Sequence, residues 1–354
     1  MDIPAPHAAD TLPSSLPTVA RTVVLLTALI SVLLTAFAWP SVRSHVHDVP
    51  IAVAGPPAAV KQVSAALDQR LPGGFAITEV ADTSAAERLI RDREVYGAVD
   101  VSSGAPQVIT ASAAGAAVAQ TLQGVAVGLG QAQAQGVGKK ASVRDIVALP
   151  ADDPRGAGLA AGALPLIMGG LLAALLLTRL VRGIARQAAG ALTFAITGGL
   201  AAAAILQLWL GSLDGSYLVN TGAIALAIAA TTLTIIGLES QLGYAGFGLG
   251  AVIMMLIGNP LSGTSTSPEM LPGWSGTLGQ LLPPGAGGQL LRSTAFFDGH
   301  GSTHSVLVLM TWLGFGVALC LASGRPRRDR RRVHRVRRVH RVHRVHRERA
   351  SAAV

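Results

Sequence analysis

Gly273-Trp274-Ser275-Gly276 sets a serine between glycines, and His304 follows at the mouth of an apolar run. A serine becomes a nucleophile only when a base lies within hydrogen-bond reach. An intramembrane serine protease is therefore one chemistry to test. Against it, Ser275 lies in a Pro-rich stretch, and the second and third apolar runs hold no His or Asn to help bind an oxyanion. A turn carrying a Trp anchor explains the same four residues, and no catalytic residue is assigned.

Gln131–Lys140 (QAQAQGVGKK) resembles a phosphate-binding loop in composition alone. That loop needs a glycine at Gln133 and a Ser or Thr at Lys140. Nucleotide hydrolysis, if the protein depends on it, must come from a partner. Cys320 is the single cysteine, which excludes an intramolecular disulfide and a cysteine-based metal cluster. No cofactor and no metal are read from the sequence.

The apolar runs are almost free of charge. Glu239 falls at a turn, Asp214 in a loop, and Gln207 is the main amide inside a run. Ion-coupled transporters carry ionisable groups within their spans, at a cost of several kcal/mol each. Proton or sodium coupling lacks its apparatus here, and an apolar or amphiphilic substrate fits better. Polar groups that could face a substrate or a gate are Gln289, Arg292 and Asp298, although each also reads as a solvated loop residue. Gly246 and Gly250 have the spacing that lets helix backbones approach, within one chain or across a dimer.

The positioning elements come from composition and periodicity. Half of the 354 residues are hydrophobic and only 13% are charged, about half the charge of a soluble domain. Mean hydropathy is +0.49. The net charge of +9 is local: Arg325–Arg349 holds 13 arginines and two acids, leaving 15 basic and 17 acidic residues elsewhere. Six apolar runs are predicted as spans: 22–39, 158–181, 190–210, 218–238, 242–258 and 305–322. The first could instead be a signal peptide, since Ala36-Phe37-Ala38 resembles a cleavage site, but its length favours an uncleaved helix.

Residues 1–21 form a polar lead, and residues 40–157 return to soluble composition. Strands are predicted over Pro50–Ala54, Phe75–Val80 and Tyr96–Val101, with helices over Ala58–Leu71 and Ser84–Arg93 and a long helix over Ala111–Gly138. The alternation implies a small α/β domain. The fold class is thus a membrane all-α bundle of six helices with that domain between helices 1 and 2. Between the last two spans, residues 259–303 hold short apolar stretches broken by Pro283-Pro284, expected to lie as interfacial or re-entrant helices.

Arg179, Arg182 and Arg186 after the second run, and the tail arginines after the sixth, put both termini in the cytoplasm of a plasma-membrane protein. Residues 40–157 and 259–303 then lie outside. The Val-His-Arg repeat of residues 323–354 suits anionic lipid of the inner leaflet; its arginines repel a metal cation. It has no aromatic residues for base stacking, so nucleic acid is not a partner.

Three stretches carry a family resemblance: DIVALPADDPRG (Asp145–Gly156), MLPGW (Met270–Trp274) and LGQLLPPGAGGQLLRSTAFF (Leu278–Phe297). With the order of helix, large domain and five helices, residues 20–322 resemble membrane subunits of type-2 ABC exporters. Within these they are most similar to the YhgE/Pip-like (phage-infection-protein) membrane proteins. The resemblance implies a dimeric permease that pairs with a cytoplasmic ATPase and exports a hydrophobic or envelope-related molecule. It also implies a coupling contact to that ATPase, for which Arg182–Ala189, with Arg182 and Arg186, is the available connection. The rival without the resemblance is a scaffold, or a surface receptor displaying residues 40–157.

Overall fold

The computed structural model describes residues 15–134 and 142–324. Most of the Gln131–Lys140 stretch and all of the arginine tail lie outside those residues. Leu16–Arg43 forms α1. Its 28 residues exceed the predicted Thr22–Trp39 run and extend about 42 Å at 1.5 Å per residue. Its apolar stretch is exposed along its length, as suits a helix whose neighbour is lipid.

The α/β domain follows. In chain order it comprises β1 (Val49–Ala54), α2 (Pro57–Arg70), β2 (Phe75–Val80), α3 (Thr83–Arg91), β3 (Gly97–Asp100), β4 (Gln107–Thr110), α4 (Ala116–Ala134) and β5 (Ser142–Asp145). The sheet order is β2-β1-β3-β4-β5. β1 runs parallel to β2 and β3, β4 is antiparallel to β3, and β5 is parallel to β4. β1 reads VPIAVA and is buried at every position but Pro50, the near-continuous apolar run of a parallel strand covered on both faces. Helix α3 starts on an Asp82 cap, whose carboxylate accepts from the Ala85 N–H at 2.8 Å.

Two strands went unpredicted. β4 and β5 have only four residues each, and β5 is exposed throughout. Neither length nor alternation marks them. Residues Ala111–Gly115, expected to open the long helix, instead connect β4 to it.

Four more long apolar helices make the bundle: α5 (Ala157–Leu180), α6 (Ile184–Ala203, running on as π-helix through Trp209), α7 (Tyr217–Leu242) and, last in the chain, α11 (Thr303–Gly324). With α1, five helices among the described residues are long and apolar enough to cross a membrane, and they mark a mostly helical multi-pass membrane protein with a small sheet. The predicted fifth span is shorter. Helix α8 (Tyr244–Ala251) and its π-helical continuation to Gly258 extend about 22 Å, less than a hydrocarbon core of about 30 Å.

Helix α7 is the central post. It packs on α5, α6, α8 and α11, and every residue from Ile228 to Leu238 is buried. Two of its threonines reach across helices: Thr234 Oγ1 donates to the Trp312 carbonyl at 3.1 Å and Thr232 Oγ1 to the Gly170 carbonyl at 3.4 Å. A Cβ on Gly237 would sit 2.8 Å from the Gly316 carbonyl, so the α7–α11 contact needs glycine on both sides. The turn between α7 and α8 is Gly243 alone, at φ 63°, which an L side chain adopts at a cost.

Two expectations for the connections are corrected. Helix α6 begins at Ile184, six residues before the predicted start at 190, so Val181-Arg182-Gly183 is the whole link from α5 and Arg182–Ala189 is mostly helix. The polar residues of that stretch are good helix formers, and Gln187 caps backward by donating to the Val181 carbonyl at 2.8 Å. Helices α9 (Ser275–Gln280) and α10 (Pro283–Phe296) occupy residues 259–303. Pro283-Pro284 starts α10 rather than breaking a path, since a first-turn proline gives up an N–H that would be unpaired anyway. Leu290–Ala295 are buried at all six positions, so α10 is enclosed on every side, wedged among α5, α7 and α11.

The bundle has two distinct ends. At one, the Arg179 guanidinium lies 4.5 Å from the Tyr244 ring centroid and Ser323 Oγ donates to Ser240 Oγ at 2.7 Å. The α5 terminus, the α7–α8 turn and the α11 terminus therefore meet there. At the other end the α/β domain docks, with the His45 N–H donating to the Met270 carbonyl at 3.0 Å.

Candidate functional site

Helix α10 carries Arg292 into the junction between bundle and sheet domain. Only 7% of the residue is exposed. Its Nη2 donates to the Thr264 carbonyl at 3.1 Å, while Nη1 is buried with no hydrogen-bond partner among the described residues. The Thr264 loop is itself fixed. Its hydroxyl shares a 3.0 Å hydrogen bond with Ser262 Oγ, and Gln280 Nε2 donates to the Ser262 carbonyl at 2.9 Å. A buried cation with no direct ion pair, attracted only from a distance by the Glu269 carboxylate, is costly for a fold to hold.

Beside Arg292 opens a cavity of about 520 Å³, lined also by Ser112, Arg155, Ser212, Thr266 and Phe296. Sheet domain, α5 start and α10 thus share one space. The nearby acid is already engaged: Asp153 accepts the Ala157 and Gly158 N–H groups at 2.8 and 2.7 Å, capping α5. A second cavity, of about 580 Å³, shares Leu159 and Thr264 with the first. Its walls are apolar faces of α5, α7 and α10, among them Leu166, Ile224, Ile228 and Leu291. The one is lined by polar and charged groups beside Arg292, the other by apolar side chains.

On the opposite flank of α10 a third cavity, of about 720 Å³, is lined by Arg93, Tyr96, Glu269, Gln289 and His304. Here the sheet domain is latched to the bundle. Arg93 Nη1 donates to the Gln289 carbonyl at 3.2 Å and to Ser293 Oγ, its Nη2 donates to Gln289 Oε1 at 2.7 Å, and its guanidinium lies 5.2 Å from the Phe297 ring centroid. Arg93 holds a positive φ of 63° to make these contacts. Burial, with the nearby charge of Arg292, brings its pKa down to about 10, which leaves it a cation at neutral pH. Tyr96 donates to Glu269 Oε2 at 2.7 Å; burial, then the Glu269 carboxylate, pushes the phenol above its usual range.

Of the sequence-predicted polar residues, Gln289 and Arg292 meet here on adjacent turns of α10 and face different cavities. Asp298 does not join them: it is exposed, in a turn at φ 50°. Arg182 and Arg186 are exposed at the far end of the bundle. Gly246 and Gly250 pack within the chain, against Leu238 and Ile235 of α7. Ser275 is fully buried and donates to the Pro272 carbonyl at 2.7 Å, with no hydrogen bond to the exposed His304. Among the described residues no cluster of His, Cys, Asp and Glu could hold a metal ion. Arg93, Tyr96, Arg155 and Glu269 escaped the sequence reading, because nothing local separates them from the other polar residues of the sheet domain and of the 259–303 segment.

Comparison with family models, with curated proteins and with solved structures gave no match to this chain.

Proposed function

We propose that this chain is the permease-like membrane subunit of an ABC-type export system. It moves a hydrophobic or envelope-related molecule, and a cytoplasmic partner hydrolyses the ATP. The carrying observation is the apolar cavity among α5, α7 and α10, whose lining holds no charged side chain and which neighbours the cavity of the buried Arg292 at the sheet end of the bundle. A route without carboxylates or histidines suits an amphiphile and offers a coupled ion no relay. In this proposal α8 completes a sixth span across a locally thinned bilayer. The end bearing Arg179, Arg182 and Arg186 faces the cytoplasm of the plasma membrane, and the sheet domain faces outward. Two copies form the functional unit, and the resemblance to YhgE/Pip-like proteins points the same way.

With only Val181–Gly183 between α5 and α6, the ATPase meets Arg182 and Arg186 directly rather than through a separate helix. That short link also favours the rival, a scaffold or receptor that displays the sheet domain. Affinity purification of the tagged full chain from its own membranes separates them. The permease brings down a stoichiometric ATPase, and deleting the chain abolishes export of a lipophilic compound. Neither result follows from the rival, and failure of both ends the permease proposal.

A further inference from the structure

We infer that the two neighbouring cavities, which share Leu159 and Thr264, bind one anionic amphiphile, its oxyanion headgroup against Arg292 and its acyl chain between α5, α7 and α10. The argument begins with charge. Arg292 cannot shed its proton at physiological pH, yet it has only a carbonyl for a partner and one guanidinium nitrogen left over. No carboxylate forms an ion pair with it among the described residues. Asp153 is spent on the α5 cap, and Glu269, whose charge reaches Arg292, gives its Oε2 to Tyr96 and makes no ion pair with the guanidinium. A second cation, Arg155, lines the same cavity from its exposed rim, and Ser112, Ser212 and Thr266 add hydroxyls. A guanidinium fork with flanking hydroxyls is built for a phosphate or carboxylate.

The second step is shape. A soluble anion needs only the polar cavity. Here that cavity shares Leu159 and Thr264 as lining with an apolar one set against faces of α5, α7 and α10. Burying an acyl chain there gains the hydrophobic contribution that a free anion lacks. Naming this ligand as the exported molecule rests on the export proposal; the binding itself does not.

The test uses full-length protein in neutral detergent with 1-oleoyl lysophosphatidate, oleate, monoolein and inorganic phosphate as probes, measured by native mass spectrometry and by equilibrium competition. Lysophosphatidate or oleate should bind at least tenfold more tightly than monoolein, and whichever is tighter identifies the headgroup. Inorganic phosphate should displace neither at millimolar concentration. R292Q should remove the preference over monoolein. Should R292Q fail to fold, A163F tests the same site from the apolar side: Ala163 lines the apolar cavity, and filling it should weaken all three lipids about tenfold.

Equal affinity for lysophosphatidate, oleate and monoolein overturns the headgroup assignment, and phosphate binding as tightly as lysophosphatidate overturns the amphiphile. If no probe binds while the ATPase still co-purifies, the ligand inference is lost and the export proposal stands. If the anionic lipids bind as expected but no ATPase is found, the reverse holds.

Discussion

Two arginines on opposite sides of α10 are handled differently by the fold. Arg93 spends its donors on Gln289 and Ser293 and latches the sheet domain to the bundle, while Arg292 keeps one nitrogen unspent. The sequence marked Arg292 and Gln289 as polar residues in an apolar stretch. It could not mark Arg93, whose partners lie 196 and 200 positions away. The same flank yields a prediction about pH. The Tyr96 phenol has its folded-state pKa raised above the ordinary 10.0. Its contribution is therefore whole below pH 10 and fades as alkali ionises the unfolded chain. Tyr96→Phe removes a hydrogen bond to a carboxylate, worth about 1.5–3 kcal/mol, and removes the ionisable group with it. Below pH 10 the variant should melt lower than wild type by a constant interval. Above pH 10 the interval should shrink. An interval independent of pH from 8 to 11.5 would show that Tyr96 does not ionise on unfolding.

At the level of elements, hydropathy announced the helices and missed what their ends do. Runs 158–181 and 218–238 appear as α5 and α7 with modest shifts, because length and apolarity alone suffice for a spanning helix. The start of α6 was hidden because helix-forming polar residues extend it beyond its apolar part, and Pro283-Pro284 read as a break where the chain uses it as a helix start. The α7–α8 hairpin was legible from the short gap between the runs 218–238 and 242–258, and the structure shows how closely its arms pack. A Cβ on Gly246 would overlap the Leu238 carbonyl, whereas one on Gly248 meets nothing within 4 Å. Gly246→Ala should therefore force the two helices apart and cost about 1–3 kcal/mol, the scale of an overpacked core. Gly248→Ala, two residues away, should be neutral or slightly stabilising, since alanine is the better helix former by about 1 kcal/mol. Melting temperatures of the purified variants in one detergent check this, and equal melting of the pair would remove Gly246 from the helix contact.

For the molecule as a whole, the question is which end faces the cytoplasm. The Arg179–Tyr244 stack and the Ser323–Ser240 hydrogen bond gather the α5–α6 link, the α7–α8 turn and the end of α11 at one end, with the sheet domain at the other. This grouping is independent of the charge count, which assigns the arginine-bearing end to the cytoplasm. It is also what hydropathy could not settle, because α8 is too short to be counted as a span by length. Its two ends nonetheless differ: Gly246 packs on Leu238 at the arginine end, while Gly258 packs on Pro284 at the start of α10. Reporter fusions that are active on only one side of the membrane decide the matter. Fusions after Gly183 and Gly243 should report the cytoplasm, and one inserted at Gly104, a solvent-facing turn of the sheet domain, should report the outside. If the Gly183 and Gly243 fusions report opposite sides, the two-ended bundle is wrong. If both report the outside and Gly104 the inside, the bundle stands inverted, and Arg292 with its cavity would open toward the cytoplasm as a loading site rather than an exit.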